Sequence, residues 1–250
     1  MVEVVSRHQM KRGRLLRYLE ELAGAGVRAT LYVPPGVAPA AVAADGPAAA
    51  PLAALGGVSL PSRAAETGAV LFLGEETFLV VPPFPLAAGG AYHGYRPEPL
   101  RELLARDRLV GIVLLRLGGF SIGVFEGERL LDAKTDTRFV KGRHRAGGQS
   151  QRRFERIREK QIQELFDEAC GVARTKFGPV ERRLEHIFLG GERHTLGAFR
   201  RRCRYLEGLA DRIAPRILNA PEPKREVLEQ MAAEVWKSEV AVLRGGGPAA

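Results

Sequence analysis

The sequence predicts an α/β (α+β) fold in two parts, and three observations carry that prediction. An apolar run of strand length, Leu109 to Leu117, is followed across Gly118-Gly119 by Phe120 to Phe125 and then by Arg129 to Lys134, which reads as three strands joined by tight turns. Phe154, Ile157, Ile162, Leu165, Phe166 and Ala169 then fall on one face of a long helix from about Ser150 to Ala173. Upstream, prolines 82, 83 and 85 end a hairpin and set off an N-terminal part. At 250 residues the chain has room for one large or two modest domains, each with a core of its own.

Within Arg7 to Ala23, residues Met10, Leu15, Leu16, Leu19 and Leu22 recur at near-helical spacing, and Gly24 and Gly26 supply the stop. Val27 to Val33 reads as a strand closed by Pro34-Pro35-Gly36. From Val37 to Thr67 alanine, proline and glycine dominate with little periodicity, a weakly specified connection with a short helix near Leu52 to Leu55. Gly68 to Leu73 and Thr77 to Val81 flank Gly74-Glu75-Glu76 as a hairpin. The second part opens with a strand at Ala91 to Tyr95 and a helix from Pro99 to Arg106, then runs through the three strands into the long helix, which Ser150 is placed to cap. Glu181 to Leu184 leads into a strand, His186 to Leu189, ended by Gly190-Gly191. Helices follow from Thr195 to Ile213 and from Pro223 to Val240, and residues 245–250 read as a frayed tail. The expected domains are therefore 1–81, a smaller α+β unit, and 82–244, whose element order is compatible with a ribonuclease-H-like mixed sheet.

Charge is the unusual quantity. Lys and Arg number 38 against 29 Asp and Glu, a net +9. From Arg138 to Lys160 nine Lys or Arg face two Glu, an excess of seven that accounts for most of it. A patch of that kind neutralises phosphate and releases counterions on a nucleic acid, although a charge run by itself is more often a solvated face. Arg200, Arg201, Arg202 and Arg204 form a second cluster that reads equally as RNA contact or solvated helix. Cys170 and Cys203 stand alone without histidines at ligand spacing, so buried free thiols are expected, with neither a disulfide framework nor a zinc site. No apolar run approaches a membrane span and Met1 to Gly26 is too charged for a signal peptide, so a cytoplasmic protein is expected. No cofactor or metal is expected either.

Inside the basic run lies Gly147-Gly148-Gln149-Ser150, preceded by Lys141, Arg143, His144 and Arg145 and followed by Arg152, Arg153, Phe154, Arg156, Arg158 and Glu159. Two adjacent glycines allow a loop tip without Cβ atoms, able to bring backbone N–H groups against a polyanion. The tripeptide alone is a weak signal in a chain this rich in glycine. The longer string, GGQSxxRFxRxRE at the junction of a basic loop and an amphipathic helix, resembles the catalytic loop of the class-1 release factors of eukaryotes and archaea and of their relatives, the Vms-like peptidyl-tRNA hydrolases of ribosome quality control. Val81-Pro-Pro-Phe-Pro-Leu86, the helix Pro99 to Arg106 and the run Val110 to Glu126 come in the order of that family's ribonuclease-H-like middle domain. Thr30 to Pro35 and Gly68 to Leu73 are similar to its N-terminal domain. The resemblance is strong from about Val110 to Phe177. It departs where a codon-reading helical hairpin should lie, between Pro35 and Gly68, and it lacks the third domain that recruits a partner GTPase.

The resemblance implies codon-independent release of nascent chains from stalled ribosomes or large subunits, with peptidyl-tRNA and ribosomal RNA as partners. Ester hydrolysis needs an attacking water, a stabilised oxyanion and a proton path from the leaving 3′ oxygen. No nucleophile triad or paired-carboxylate site is visible, so the expected contribution is positioning. Gly147 and Gly148 admit the tip to a narrow pocket, Gln149 orients water or the leaving group, and Lys141, Arg143, Arg145, Arg152, Arg153 and Arg156 grip phosphates. His144 reads better as an RNA contact than as a general base, Phe154 better as core than as a stacking ring, and Trp236 as a packing anchor. Two alternatives stay open: an endonuclease cutting tRNA near its 3′ CCA end, for which Asp132 and Asp136 are the only carboxylates approaching the loop, and a non-catalytic ribosome or RNA binder. The residues do not fix the oligomeric state, and a monomer is expected.

Overall fold

The computed structural model describes residues 3–142 and 149–245. In chain order the elements are β1 (Glu3–Met10), α1 (Arg12–Glu21), β2 (Ala29–Val33), α2 (Pro39–Ala43), α3 (Ala49–Ala54), α4 (Ala64–Thr67), β3 (Ala69–Leu73), β4 (Thr77–Val81), β5 (Gly90–His93), α5 (Glu98–Ala105), β6 (Leu109–Arg116), β7 (Gly119–Glu126), β8 (Arg129–Thr137), α6 (Gln149–Phe177), β9 (His186–Gly191), α7 (Arg193–Arg202), α8 (Arg204–Glu207), β10 (Ile213–Leu218), α9 (Arg225–Val235) and β11 (Ser238–Arg244). They form two compact units, one running to Arg106 and resumed from Trp236, the other Asp107–Val235. The sequence boundary at 81/82 falls inside the first unit, and the chain returns to that unit after α9.

The first unit is built on an antiparallel sheet of order β1-β11-β4-β3-β2-β5. Strands β2, β3 and β4 are buried at every position, because helices cover both faces. Alternate side chains of one strand therefore enter different cores: Ala69, Leu71 and Leu73 pack with α2, α3 and α4, while Val70 and Phe72 pack with α1 and α5. Each such large aliphatic or aromatic side chain contributes about 1.5–3 kcal/mol on burial. Trp236 is fully buried, edge-on to Phe84 at 4.8 Å with the Arg12 guanidinium 4.5 Å from its ring centroid, which makes it the packing anchor expected.

Three readings need correction here. The first helix starts at Arg12, not Arg7, because Glu3–Met10 is a strand paired with β11. The helix expected to reach Val240 stops at Val235, and Ser238–Arg244 enters the sheet between β1 and β4. Its Val-Ala-Val-Leu core suits a strand, but the partners that make it one lie far away in sequence. The alanine-rich connection carries three short helices, not one.

The second unit has a mixed sheet of order β10-β9-β6-β7-β8. Within the unit that is 5-4-1-2-3, with the first three strands an antiparallel meander and the last two parallel to the first, the ribonuclease-H-like arrangement. One face packs on α6, α7 and α8, and α9 covers the other. Gly111 makes the first packing possible, since a Cβ there would lie 2.7 Å from the Phe177 ring. The helix read as continuous from Thr195 to Ile213 is instead α7, α8 and, after a short turn, the edge strand β10. Pro215 disguises that strand, and it sits where the pairing with β9 is irregular, a position an edge strand tolerates.

Cys170 and Cys203 are not free thiols. They form a disulfide across α6 and the α7–α8 junction, with Cα atoms 5.4 Å apart. Two helices laid side by side on one sheet face bring together residues 33 apart in sequence, a proximity no spacing rule exposes.

Candidate functional site

The meander delivers the chain to the site. After β8 the backbone turns at Arg138, whose N–H donates to the Gly118 carbonyl at 2.9 Å and whose guanidinium lies 3.2 Å from Glu168 of α6. Val140 packs into the core, and Phe139, its neighbour, points outward with three quarters of its surface exposed. Lys141 is then clamped to α6. Its N–H donates to Gln161 Oε1 at 3.0 Å, its carbonyl accepts from Arg158 Nε at 2.9 Å, and its ammonium sits 5.3 Å from the Phe154 ring centroid. Residues 143–148, including Arg143, His144, Arg145, Gly147 and Gly148, lie outside the described residues.

Gln149 opens α6 as its first helical residue. Ser150, expected as the cap, is thus already inside the helix. The residues from Arg152 to Arg156 are exposed on all sides, and the first fully buried residue of α6 is Leu165. At about 1.5 Å per residue, the sixteen steps from Leu165 put the Gln149 end about 24 Å from the core along the helix axis. Deeper in, Leu165, Phe166, Ala169, Ala173 and Phe177 form the apolar stripe, and the helix is further held by the Arg202 to Asp167 pair at 2.6 and 2.7 Å. The expected apolar face beginning at Phe154 is therefore too long by about two turns, because Phe154 is 44% exposed and the residue nearest it on that face to pack against the core is Ile162.

The projecting turns are electropositive. Arg152 and Arg156 share a face at i, i+4 spacing and Arg153 adjoins Arg156 at i, i+3. None of the three has an acidic partner in ion-pair range among the described residues. The first turn of α6 contains no acidic residue, and the helix N-terminus adds its own partial positive charge. Such an end attracts phosphate. The two carboxylates on the approach to the loop are otherwise engaged: Asp132 pairs with Lys176 at 2.7 Å, and Asp136 accepts from the Thr137 N–H and sits 3.3 Å from Lys134, contacts that hold its carboxyl below the usual range. Among the described residues no three His, Cys, Asp or Glu side chains gather as a metal site, and no helix is long and apolar enough to cross a membrane.

The structure thus puts Arg152, Arg153 and Arg156 on the projecting turns that follow Gln149, with Lys141 at the base of the loop. Of the second basic cluster, Arg202 is committed to Asp167 and serves packing. Sequence reasoning named Arg158 only as part of the basic string and missed its bond to the Lys141 carbonyl, as it missed Gln161 and Glu168 at the base of the loop and the outward Phe139. Only the last left a signal, as an aromatic residue inside a basic run.

The chain is 33% identical over 139 residues to peptide chain release factor subunit 1 of Archaeoglobus fulgidus, covering 53% of this chain and 34% of that protein. With the Methanopyrus kandleri factor of the same name it shares 38% identity over 94 residues, 38% of this chain and 23% of the relative. The chain therefore spans about a third or less of the length of these curated relatives. Among solved structures, the archaeal translation termination factor aRF1 aligns over 91% of this chain and 73% of its own at 20% identity, with a TM-score of 0.41. Residues 108–241, more than half of the chain and nearly all of the second unit, match the family model described as Actinobacteria/chloroflexi VLRF1 release factor, and the chain belongs to that family.

Proposed function

We propose that the chain is a codon-independent peptidyl-tRNA hydrolase that releases nascent chains from stalled ribosomes or large subunits, with Gly147-Gly148-Gln149 entering the peptidyl transferase centre. The observation that carries this reading is the projection of α6: Gln149 heads a helix whose residues Arg152 to Arg156 are exposed, with Arg152, Arg153 and Arg156 lacking an acidic partner in ion-pair range among the described residues. A helix of that shape suits insertion into a deep anionic cavity. The reading is codon-independent because the segment between β2 and β3 holds helices of only five, six and four residues, too short for a codon-reading hairpin.

In this mechanism the arginines bind phosphates of the tRNA acceptor end and ribosomal RNA, and their fixed spacing on α6 sets the reach of the loop. Gln149 holds the attacking water and donates hydrogen bonds to the oxyanion or the leaving 3′ oxygen. The remaining catalytic groups belong to the ribosome and tRNA, so the protein needs no cofactor and acts as a monomer in the cytoplasm.

The test is made on stalled large-subunit complexes carrying radiolabelled peptidyl-tRNA, treated with wild type and with Gln149→Ala. Free peptide with intact CCA-ended tRNA, lost in the variant, is the expected result. Peptide still bearing a CCA fragment would make the protein a nuclease, and binding without cleavage by either protein would leave it a ribosome binder.

A further inference from the structure

The first unit carries a basic surface that release chemistry does not use. Between Arg7 and Arg17 the sequence has five Lys or Arg and no acid. Arg7 is paired with Glu239, and Arg12 donates to the Ala105 carbonyl at 2.7 Å and covers the Trp236 ring. Beside the exposed Lys11, this leaves Arg14 and Arg17, one turn apart on α1 and both exposed, with no carboxylate in ion-pair range among the described residues. They line a groove of about 450 Å³ between α1 and β1, floored by β11, whose other walls include Ser6, His8 and Tyr18. Glu21, four residues along α1 from Arg17, is the one acid on its rim among the described residues.

We infer that this groove binds the phosphodiester backbone of RNA. Arginine side chains with serine and tyrosine hydroxyls are the groups that contact phosphate, and the groove holds two of the first and one of each of the others. Residues three apart on a helix are surface neighbours, so Arg14 and Arg17 can take successive phosphates of one strand. Tyr18 keeps its proton, because burial and then the nearby Glu21 raise its pKa, so its hydroxyl stays available as a donor. Its ring stands edge-on to Phe78 at 6.3 Å and is not free to stack on a base. Recognition here is therefore of backbone and independent of sequence. The macrodipole disfavours cations in the opening turns of α1, where no acidic residue and no side-chain cap occurs.

The experiment measures binding of a short fluorescein-labelled single-stranded RNA to the full chain by anisotropy over a salt series, with amide exchange read in parallel. Arg14→Gln/Arg17→Gln should weaken binding several-fold and flatten the slope of log K against log salt by about 1.4, two phosphate contacts at about 0.7 each. Arg14→Lys/Arg17→Lys should restore the slope, and RNA should slow exchange across Arg12–Glu21 of the wild type. Arg152→Gln/Arg153→Gln/Arg156→Gln, which removes the phosphate contacts proposed for the release end, should leave the protection of α1 in place, which separates this site from the release reading. An unchanged slope in the Gln pair with no protection of α1 overturns the inference, as does protection of α1 by polyglutamate but not by RNA, which would assign the groove to an acidic protein segment. The wild-type exchange measurement stands even if a variant fails to fold.

Discussion

Gln161 holds the Lys141 backbone N–H at 3.0 Å, twelve residues down α6 from Gln149 and at the point where the chain leaves the body for the basic loop. The bond fixes the loop's departure, and α6 fixes its return. Gln161→Ala removes an acceptor worth about 1 kcal/mol. Amide exchange at Lys141 should accelerate about fivefold, and peptide release should fall while ribosome affinity holds. Exchange mass spectrometry on wild type and variant checks the first part.

Arg152, Arg153 and Arg156 should act on affinity and not on the chemical step. Replacing all three with glutamine is expected to weaken ribosome binding more than tenfold and to lower its salt dependence, with the single-turnover release rate at saturation changed much less. Gln149→Ala should do the reverse. Release kinetics over a titration of complexes separate the two.

The Asp167–Arg202 pair predicts a modest pH effect. The Arg202 hydrogen bond holds the Asp167 pKa below its ordinary value, so the pair stabilises the fold fully above that value, and the contribution is lost as pH falls below about 4 through the lower folded pKa. Both side chains are substantially exposed, which limits the contribution to about 1 kcal/mol or less. Asp167→Asn should therefore lower the melting temperature slightly at pH 7 and make no difference near pH 2. Thermal melts across that range test it.

Gly111→Ala should destabilise the second unit by about 1–3 kcal/mol, because the new methyl meets the Phe177 ring at 2.7 Å in a filled core. Phe177→Leu in the same chain should recover part of the loss. Denaturant unfolding of the two singles and the double gives the coupling.

The disulfide ties α6 to the α7–α8 junction over a separation of 33 residues. The loop-entropy model gives about 3–4 kcal/mol for a closure of that length. A reducing agent should lower the wild-type melting temperature and leave Cys170→Ser/Cys203→Ser unaffected. Melting with and without reductant is the check.

Much of this was legible because local physics is sufficient for it. Five-residue apolar runs such as Ala69 to Leu73, bounded by turn signals, read as buried strands, the turns at Gly74 and Gly118 join neighbours in sequence, and the glycine-glycine-glutamine string inside the basic run points to an anionic partner. The α/β class, the meander and the long helix follow from patterns of period two and 3.6. What tertiary structure decided is everything that depends on a distant partner. Ser238–Arg244 is a strand because β1 and β4 offer it backbone donors and acceptors, Ile213–Leu218 is one because β9 has a free edge, and Cys170 meets Cys203 because two helices share a sheet face. The same holds at the site. Sequence supplied the arginines and the glutamine, but only the position of the core along α6 determined that packing ends near Ile162, so that the turns carrying Arg152, Arg153 and Arg156 are exposed and Phe154 lies outside the core.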